Sequence, residues 1–478
     1  MFRRAFLATA IVTILTSAAS AQDTVKIGLI LPMSGQQAST GKQIDAAVKL
    51  YMAQHGTTVA GKKIEVILKD DTSVPDVTKR LAQELVVNDK VAVLAGFGIT
   101  PSAMATAPIA TQAKIPEVVM AAGTSSITEA SPFVVRTSFT LAQSSVPMAE
   151  WSAKNGIKKV VTMVSDYGPG IDAEKSFSDT FKAAGGTIIE NLRVPLRSPD
   201  FAPVLQKAAD AKADALFVFV PSGAGAQFVK QFVERGLDKS GMKLIATGDV
   251  TDDDQLNGMG DVVVGVINAH NYSANHDSAL NKQYVEAFKK ANPGMRPNFM
   301  SVGGYDGMAL IYGALKKTGG DANGEKLLAA MKGMAWESPR GPISIDPQTR
   351  DMTKQAWWGR GFQAGSGKTI GVAEFSKKRL HKVGSVSMAH PGDARDADSQ
   401  MFISLSAQPK WNGQYTVFGQ DARVVLHTPG DLQDQFLVTH FDQQGNCSGP
   451  TTQTLFHLES AFQRVAGFSF ERIDGGFL

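Results

Sequence analysis

With 478 residues, the chain has room for two or three domains of roughly 100–200 residues each. Its formal net charge of +3 supplies no strongly basic surface, which argues against a nucleic acid partner or binding to an anionic membrane. The single cysteine, Cys447, excludes an internal disulfide, so apolar burial must hold the core together.

The N-terminus opens with Arg3 and Arg4, continues through an apolar stretch at Ala5–Leu15, and reaches the small residues Ala19-Ser20-Ala21. This order is that of a cleaved secretory signal, and the apolar stretch is well short of the ~20 residues a membrane span needs. The mature chain is then expected to start at Gln22 and to be soluble in the periplasm.

From Val25 to about Ile345, short β-branched segments alternate with helical patterns, as in repeated βαβ units. Strands are predicted at Val25–Leu31, Ile64–Leu68, Val91–Ala95, Val118–Met120 and Val134–Arg136. A second series follows at Val160–Val164, Thr187–Leu192, Ala215–Val220, Lys243–Ala246 and Val262–Ile267. A helix with Ile44, Ala47, Val48 and Tyr51 on one face follows the first strand. Others are predicted at Ala173–Ala184, Ala224–Arg235, Lys282–Ala291 and Met308–Lys317. About ten strands are too many for one open sheet with one core, so two α/β lobes are expected, each a mostly parallel sheet covered on both faces. Ligands of such sheets bind beyond the carboxyl ends of the strands.

The loops there carry the candidate chemistry. In AGFGITPS, Pro101 suits the first turn of a helix and Thr100 the N-cap, a helix start that favours a carboxylate. AAGTSSIT offers close backbone approach at Ala121, Ala122 and Gly123 together with hydroxyl donors. SDYGPG places Tyr167 at a sheet mouth, where an aromatic ring can cover a ligand. In GDVTDDD, Asp249 can pair with an ammonium, while Asp252–Asp254 read as a solvated helix start rather than a metal site.

Together, KIGLILPMSG, LAGFGITPSAMATAPIA, SDYGPG, GDVTDDDQLNGMGD and ESPRGPISIDPQTRD resemble the type I periplasmic solute-binding proteins of the branched-chain amino acid (Leu/Ile/Val) group. The resemblance implies two lobes joined by three crossovers that close by hinge motion. It also implies an ABC permease partner and a small carboxylate ligand, either a branched-chain amino acid or an aromatic acid. By position it assigns Thr100, Ser102 and the Ala121–Gly123 backbone to the ligand on one lobe, with Tyr167, Ser222 and Asp249 on the other. The acidic position facing an ammonium aligns on Gly248 as readily as on Asp249. Thr40 or a neighbour stands where the amino acid binders carry a loop tyrosine.

GSGKT at 365–369 is one residue out of register with a phosphate-binding loop, and His427, His440 and Cys447 lack zinc-ligand spacing. No cofactor or metal is expected. Beyond Phe375, GSVSMA, ADSQMFI and QYTVFG resemble a cyclophilin-type peptidyl-prolyl isomerase in order and spacing. That resemblance implies groove residues at Ala389, His390, Gln400, Phe402 and Tyr415. The Phe-His-Arg string that carries the arginine of that family occurs nowhere in the chain. The segment is therefore expected to be an incomplete barrel, with exported isomerase activity as the alternative function. The expected organisation is a signal at 1–21, a two-lobed binding region at 22–375 and a partial cyclophilin-like segment at 376–420. An unassigned tail follows at 421–478, with disorder and a frame shift both left open.

Overall fold

Strand β1 (Thr24–Leu31) sets the plan of the molecule. Its Val25, Ile27, Leu29 and Leu31 pack into one apolar cluster and Ile30 into another on the opposite face, the alternation of a strand buried on both sides. The computed structural model describes residues 24–259, 263 and 266–353, apart from the side chains of 257 and 258. Beyond these it describes only the backbone of the strands at 358–362, 369–374, 385–388, 401–404, 417–419, 426–427, 435–441 and 447–454.

The first lobe adds helix α1 (Ala38–His55), the hairpin of β2 (Thr58–Val59) and β3 (Lys62–Asp70), and helix α2 (Pro75–Val87). It continues through β4 (Val93–Gly96), α3 (Thr100–Ala113), β5 (Glu117–Val119) and β6 (Val134–Arg136). The sheet order is β2-β3-β1-β4-β5-β6, parallel apart from the β2–β3 hairpin.

The second lobe runs through α4 (Leu141–Lys154), β7 (Lys159–Ser165), α5 (Gly168–Ala183), β8 (Thr187–Val194) and α6 (Ala202–Asp210). It goes on with β9 (Ala215–Phe219), α7 (Ser222–Glu234), β10 (Lys243–Thr247), α8 (Leu256–Met259) and β11 (Ile267–His270). Strands β7 to β11 pair in parallel, and their residues again divide between two clusters: Phe217 and Phe219 on one face, Leu216 and Val218 on the other.

The chain then returns to the first lobe. After α9 (Ala279–Ala291), α10 (Phe299–Lys317) packs along α1, followed by α11 (Gly324–Met331) and a small antiparallel sheet. That sheet holds β12 (Ala335–Ser338), β13 (Gly341–Ile345) and β14 (Met352–Thr353). Strands β15 (Trp358–Phe362) and β16 (Thr369–Glu374) close the second sheet antiparallel to β11. The chain therefore crosses between sheets three times: after β6, after β11, and between Thr353 and Trp358.

Buried arginines tie the crossovers together. Arg136, at the end of β6, makes two bonds to Asp351 of 2.6 and 3.1 Å. Arg340 binds Asp306 of α10 at 2.8 Å and takes the carbonyls of Thr137 and Ser138 in the first crossover at 2.5 and 3.0 Å. Charges this deep persist because every donor finds an acceptor.

Two sequence expectations are corrected here. The strand expected at Val262–Ile267 lies later, at Ile267–His270. The helix expected at Met308–Lys317 starts nine residues earlier, capped by the Asn298 side chain through Met300 and Ser301, because its glycines and Asp306 mask the apolar period. Among the described strands, β17 (Ser385–Met388), β18 (Met401–Ser404) and β19 (Val417–Gly419) form a three-stranded antiparallel sheet. The signal segment, Ala389, His390, Gln400 and Tyr415 lie outside the described residues, and Phe402 falls in a strand described by its backbone alone.

Candidate functional site

Parallel strands end in loops at one edge of each sheet, and the two edges face each other across a cleft. The first lobe contributes Gln37 after β1, Gly98, Ile99 and Thr100 after β4, and Ala121–Gly123 after β5. The second contributes Tyr167 and Pro169 after β7, Phe219, Pro221 and Ser222 around the end of β9, and Asp249 after β10. Phe139 and Leu141 from the first crossover and Met300 at the start of α10 complete the walls. The cleft encloses about 350 Å³ of atom-free space, open solvent at its mouth included.

Four helix N-termini meet there. The residues preceding α1, α3, α5 and α7 are Gln37, Ile99, Tyr167 and Pro221, and none of the four caps its helix with a side chain. Each start leaves backbone N–H groups free and carries the positive end of a helix dipole. None of the described lining residues is basic. An anion placed here is held by backbone amides. The β4–α3 turn is bent to make this possible: Gly96 and Phe97 take positive φ of 109° and 69°. For a buried phenylalanine that backbone is strained, a cost tolerated where the turn serves a site.

Asp249 is the one carboxylate among the described lining residues, and it is 4% exposed. The Thr247 hydroxyl donates to its Oδ2 at 3.0 Å, and His270 Nε2 lies 3.5 Å from the same oxygen. Aromatic faces flank it. Tyr167 stacks on Phe219 with centroids 6.1 Å apart, and the Phe139 ring stands edge-on to His270. Burial, and after it the Asp249 charge, hold the Tyr167 phenol well above its ordinary range, so it is a neutral hydroxyl.

The lobes touch around the cleft. Ser39 donates to Asp254 at 2.6 Å, the Ser125 N–H to Asp172 at 2.5 Å, and Arg197 to the Ser73 carbonyl at 3.1 Å. Two glycines permit this approach. A Cβ on Gly223 would stand 2.1 Å from the Gln36 carbonyl, and one on Gly168 would stand 2.4 Å from the Thr124 hydroxyl. The arrangement is a closed one.

Of the residues singled out by sequence, Thr100, Ala121, Ala122, Gly123, Tyr167, Ser222 and Asp249 line this cleft. Ser102 points away from it: its hydroxyl is buried against Thr78 and Asp71 at 2.7 and 3.1 Å. Thr100 is not the N-cap. It is the first residue of α3, and its hydroxyl pairs with Thr124 at 2.8 Å, because Ile99 already has the extended backbone of the cap. Asp252 and Asp253 are buried rather than solvated. Asp252 accepts from Asn298 at 2.7 Å, and its burial raises its carboxyl to about 7. From QQASTG, where Thr40 or a neighbour is expected, it is Gln37 that faces the cleft. Sequence reasoning missed Phe139, Leu141 and Met300, because the crossovers bring them in from outside the strand-end loops.

The family model described as "Periplasmic binding protein" matches residues 24–366, and that described as "Cyclophilin type peptidyl-prolyl cis-trans isomerase/CLD" matches residues 342–425. A Leu/Ile/Val-binding protein homolog 6 of Brucella abortus (strain 2308) is 45% identical over 361 residues, 75% of this chain and 92% of the relative. The solute-binding protein of an ABC transporter from Rhodopseudomonas palustris BisB5, solved with 3,4-dihydroxybenzoic acid, is 66% identical. It superposes with a TM-score of 0.71 over 73% of this chain and 95% of its own. Another solute-binding protein from R. palustris, solved with 4-hydroxybenzoate, is 44% identical with a TM-score of 0.71, covering 74% of this chain and 96% of its own.

Proposed function

The chain belongs to the periplasmic binding protein family, and we propose that it captures a hydroxylated aromatic carboxylate in its cleft and delivers it to a membrane ABC permease. The observation that carries this reading is the pairing of uncapped helix starts with aromatic walls. Backbone amides of Gly98–Thr100, Ala121 and Gly123 receive the carboxylate, while Tyr167, Phe219 and Phe139 flank a flat ring. Asp249, on the opposite lobe, accepts a donor from the far end of the ligand. The two R. palustris relatives solved with hydroxybenzoates support the same class. In this reading residues 1–21 direct export to the periplasm and 22–375 form the binding region.

A branched-chain amino acid is the second reading, favoured by the same Asp249 as an ammonium partner and by the Brucella relative. Titration calorimetry and thermal shift on the mature chain separate the two. A ligand at a hundredfold excess over its Kd stabilises the native state by about 2.7 kcal/mol. 3,4-Dihydroxybenzoate and 4-hydroxybenzoate should raise the melting temperature, and leucine, isoleucine and valine should not. A shift with the amino acids alone would reverse the assignment.

A further inference from the structure

Ser222 is the first residue of α7 and lines the cleft. It is 1% exposed, and its Oγ is buried without a hydrogen-bond partner. Buried hydroxyls of native proteins are nearly always paired, because leaving one unpaired is costly. One left over in the wall of a cleft is explained by a partner that arrives in the cleft. Two close approaches define its surroundings. Within its own lobe, α7 packs on the turn after β10, where a Cβ on Gly225 would stand 2.2 Å from the carbonyl of Val250, the neighbour of Asp249. From the other lobe comes the β1–α1 loop, whose Gln36 carbonyl meets Gly223. Gln37, next in that loop, lines the cleft as well. It is 6% exposed, and its side chain does not cap α1. The start of α7 therefore lies between the turn that carries Asp249 and the loop that carries Gln37.

A serine hydroxyl and a carboxamide each donate and accept. A ring hydroxyl also does both, so between Ser222 and Gln37 it can give its proton to one and receive a bond from the other. A bare ring carbon there leaves both unpaired, and a methoxy group cannot donate. We propose that Ser222 and Gln37 form a subsite for a second ring hydroxyl beside the one at Asp249, so that the cleft prefers an aromatic carboxylate with two adjacent hydroxyls. The inference rests on the aromatic reading above and names the ligand within it. The subsite exists only in the closed arrangement, since its two side chains come from different lobes.

The test is titration calorimetry of the full chain with 3,4-dihydroxybenzoate and 4-hydroxybenzoate, in the native protein, Ser222→Ala and Gln37→Leu. The native protein should bind the dihydroxy acid about tenfold more tightly, and each variant should bring the ratio close to one. Ser222→Ala removes a hydroxyl that the fold leaves unpaired, so the melting temperature of the ligand-free variant should not fall. Gln37→Leu keeps the bulk of the side chain on the other lobe and supplies an independent reading. Equal affinity of the native protein for the two acids would overturn the subsite. So would a ratio that stays at the native value in either variant, whether or not both acids weaken together. Binding of neither acid by the native protein would overturn the function itself, and this inference with it.

Discussion

Glu117 enters β5 fully buried, and neither carboxyl oxygen has a hydrogen-bond partner. The Thr106 hydroxyl beside it is committed to the Ala103 and Ser102 carbonyls at 2.9 and 3.3 Å. Burial therefore raises this carboxyl well above its ordinary 4.5, and it stays protonated in the fold. Between the unfolded and folded pKa values the native state binds more protons, so stability falls as pH rises through that window and is level above it. Glu117→Gln keeps the shape without the titration. Its melting temperature should match the native protein at pH 4 and exceed it by a widening margin towards pH 8, as followed by calorimetry. Sequence did not single out this residue, since a lone Glu before Val-Val reads as an ordinary exposed strand end. Tyr167 and Asp249 were legible because each follows a strongly β-branched strand by one or two residues.

At the scale of elements, the site is a meeting of helix starts. The residues before α1, α3, α5 and α7 supply no side-chain cap, which leaves amides at these starts for a ligand. Contact between α7 and the β1–α1 loop depends on Gly223, whose added Cβ would meet a backbone carbonyl that cannot swing aside. Gly223→Ala should leave the melting temperature of the ligand-free protein nearly unchanged while weakening the aromatic ligand about tenfold or more, read by calorimetry. Small-angle scattering with ligand present should show incomplete closure. Equal affinity in the variant would mean that binding does not need this approach. The strand series was readable from β-branched periodicity, but its ends were not. Helix α10 hides its first two turns behind Gly303, Gly304 and Asp306, which pack against Met120, Ile44 and Arg340.

Among the described residues the two lobe sheets are joined by three crossovers, and the buried Arg136–Asp351 and Arg340–Asp306 pairs sit where the crossing segments meet. Arg136 also takes the Thr124 and Ser125 carbonyls at 2.7 and 3.1 Å. The loop after β5 is thereby fixed from behind, with the Ala121–Gly123 backbone left on the cleft side. The chain continues into the cyclophilin-matching region at 342–425. It lacks the Phe-His-Arg string that would place an arginine on a prolyl amide, and that twisted amide has to be stabilised against a barrier of about 18–20 kcal/mol. A protease-coupled assay on the full chain should show no acceleration of X–Pro isomerisation. Activity that disappears on removing residues 376–478 would establish a second function.

Sequence by itself determined the class of fold, the alternation of strand and helix, and the loops at the strand ends, because these depend on local periodicity and on residue types within a few positions of one another. Thr100, Ala121–Gly123, Tyr167 and Asp249 were legible in those loops, whereas Ser222 came from the resemblance to the family. Only the tertiary structure decided that Ser102 turns inward, that Asp252 is buried against Asn298, and that Phe139, Met300 and His270 stand around Asp249. Those neighbours lie more than twenty residues apart in the chain. The crossovers bring them together, and no local pattern records which segments two lobes bring into contact when they close.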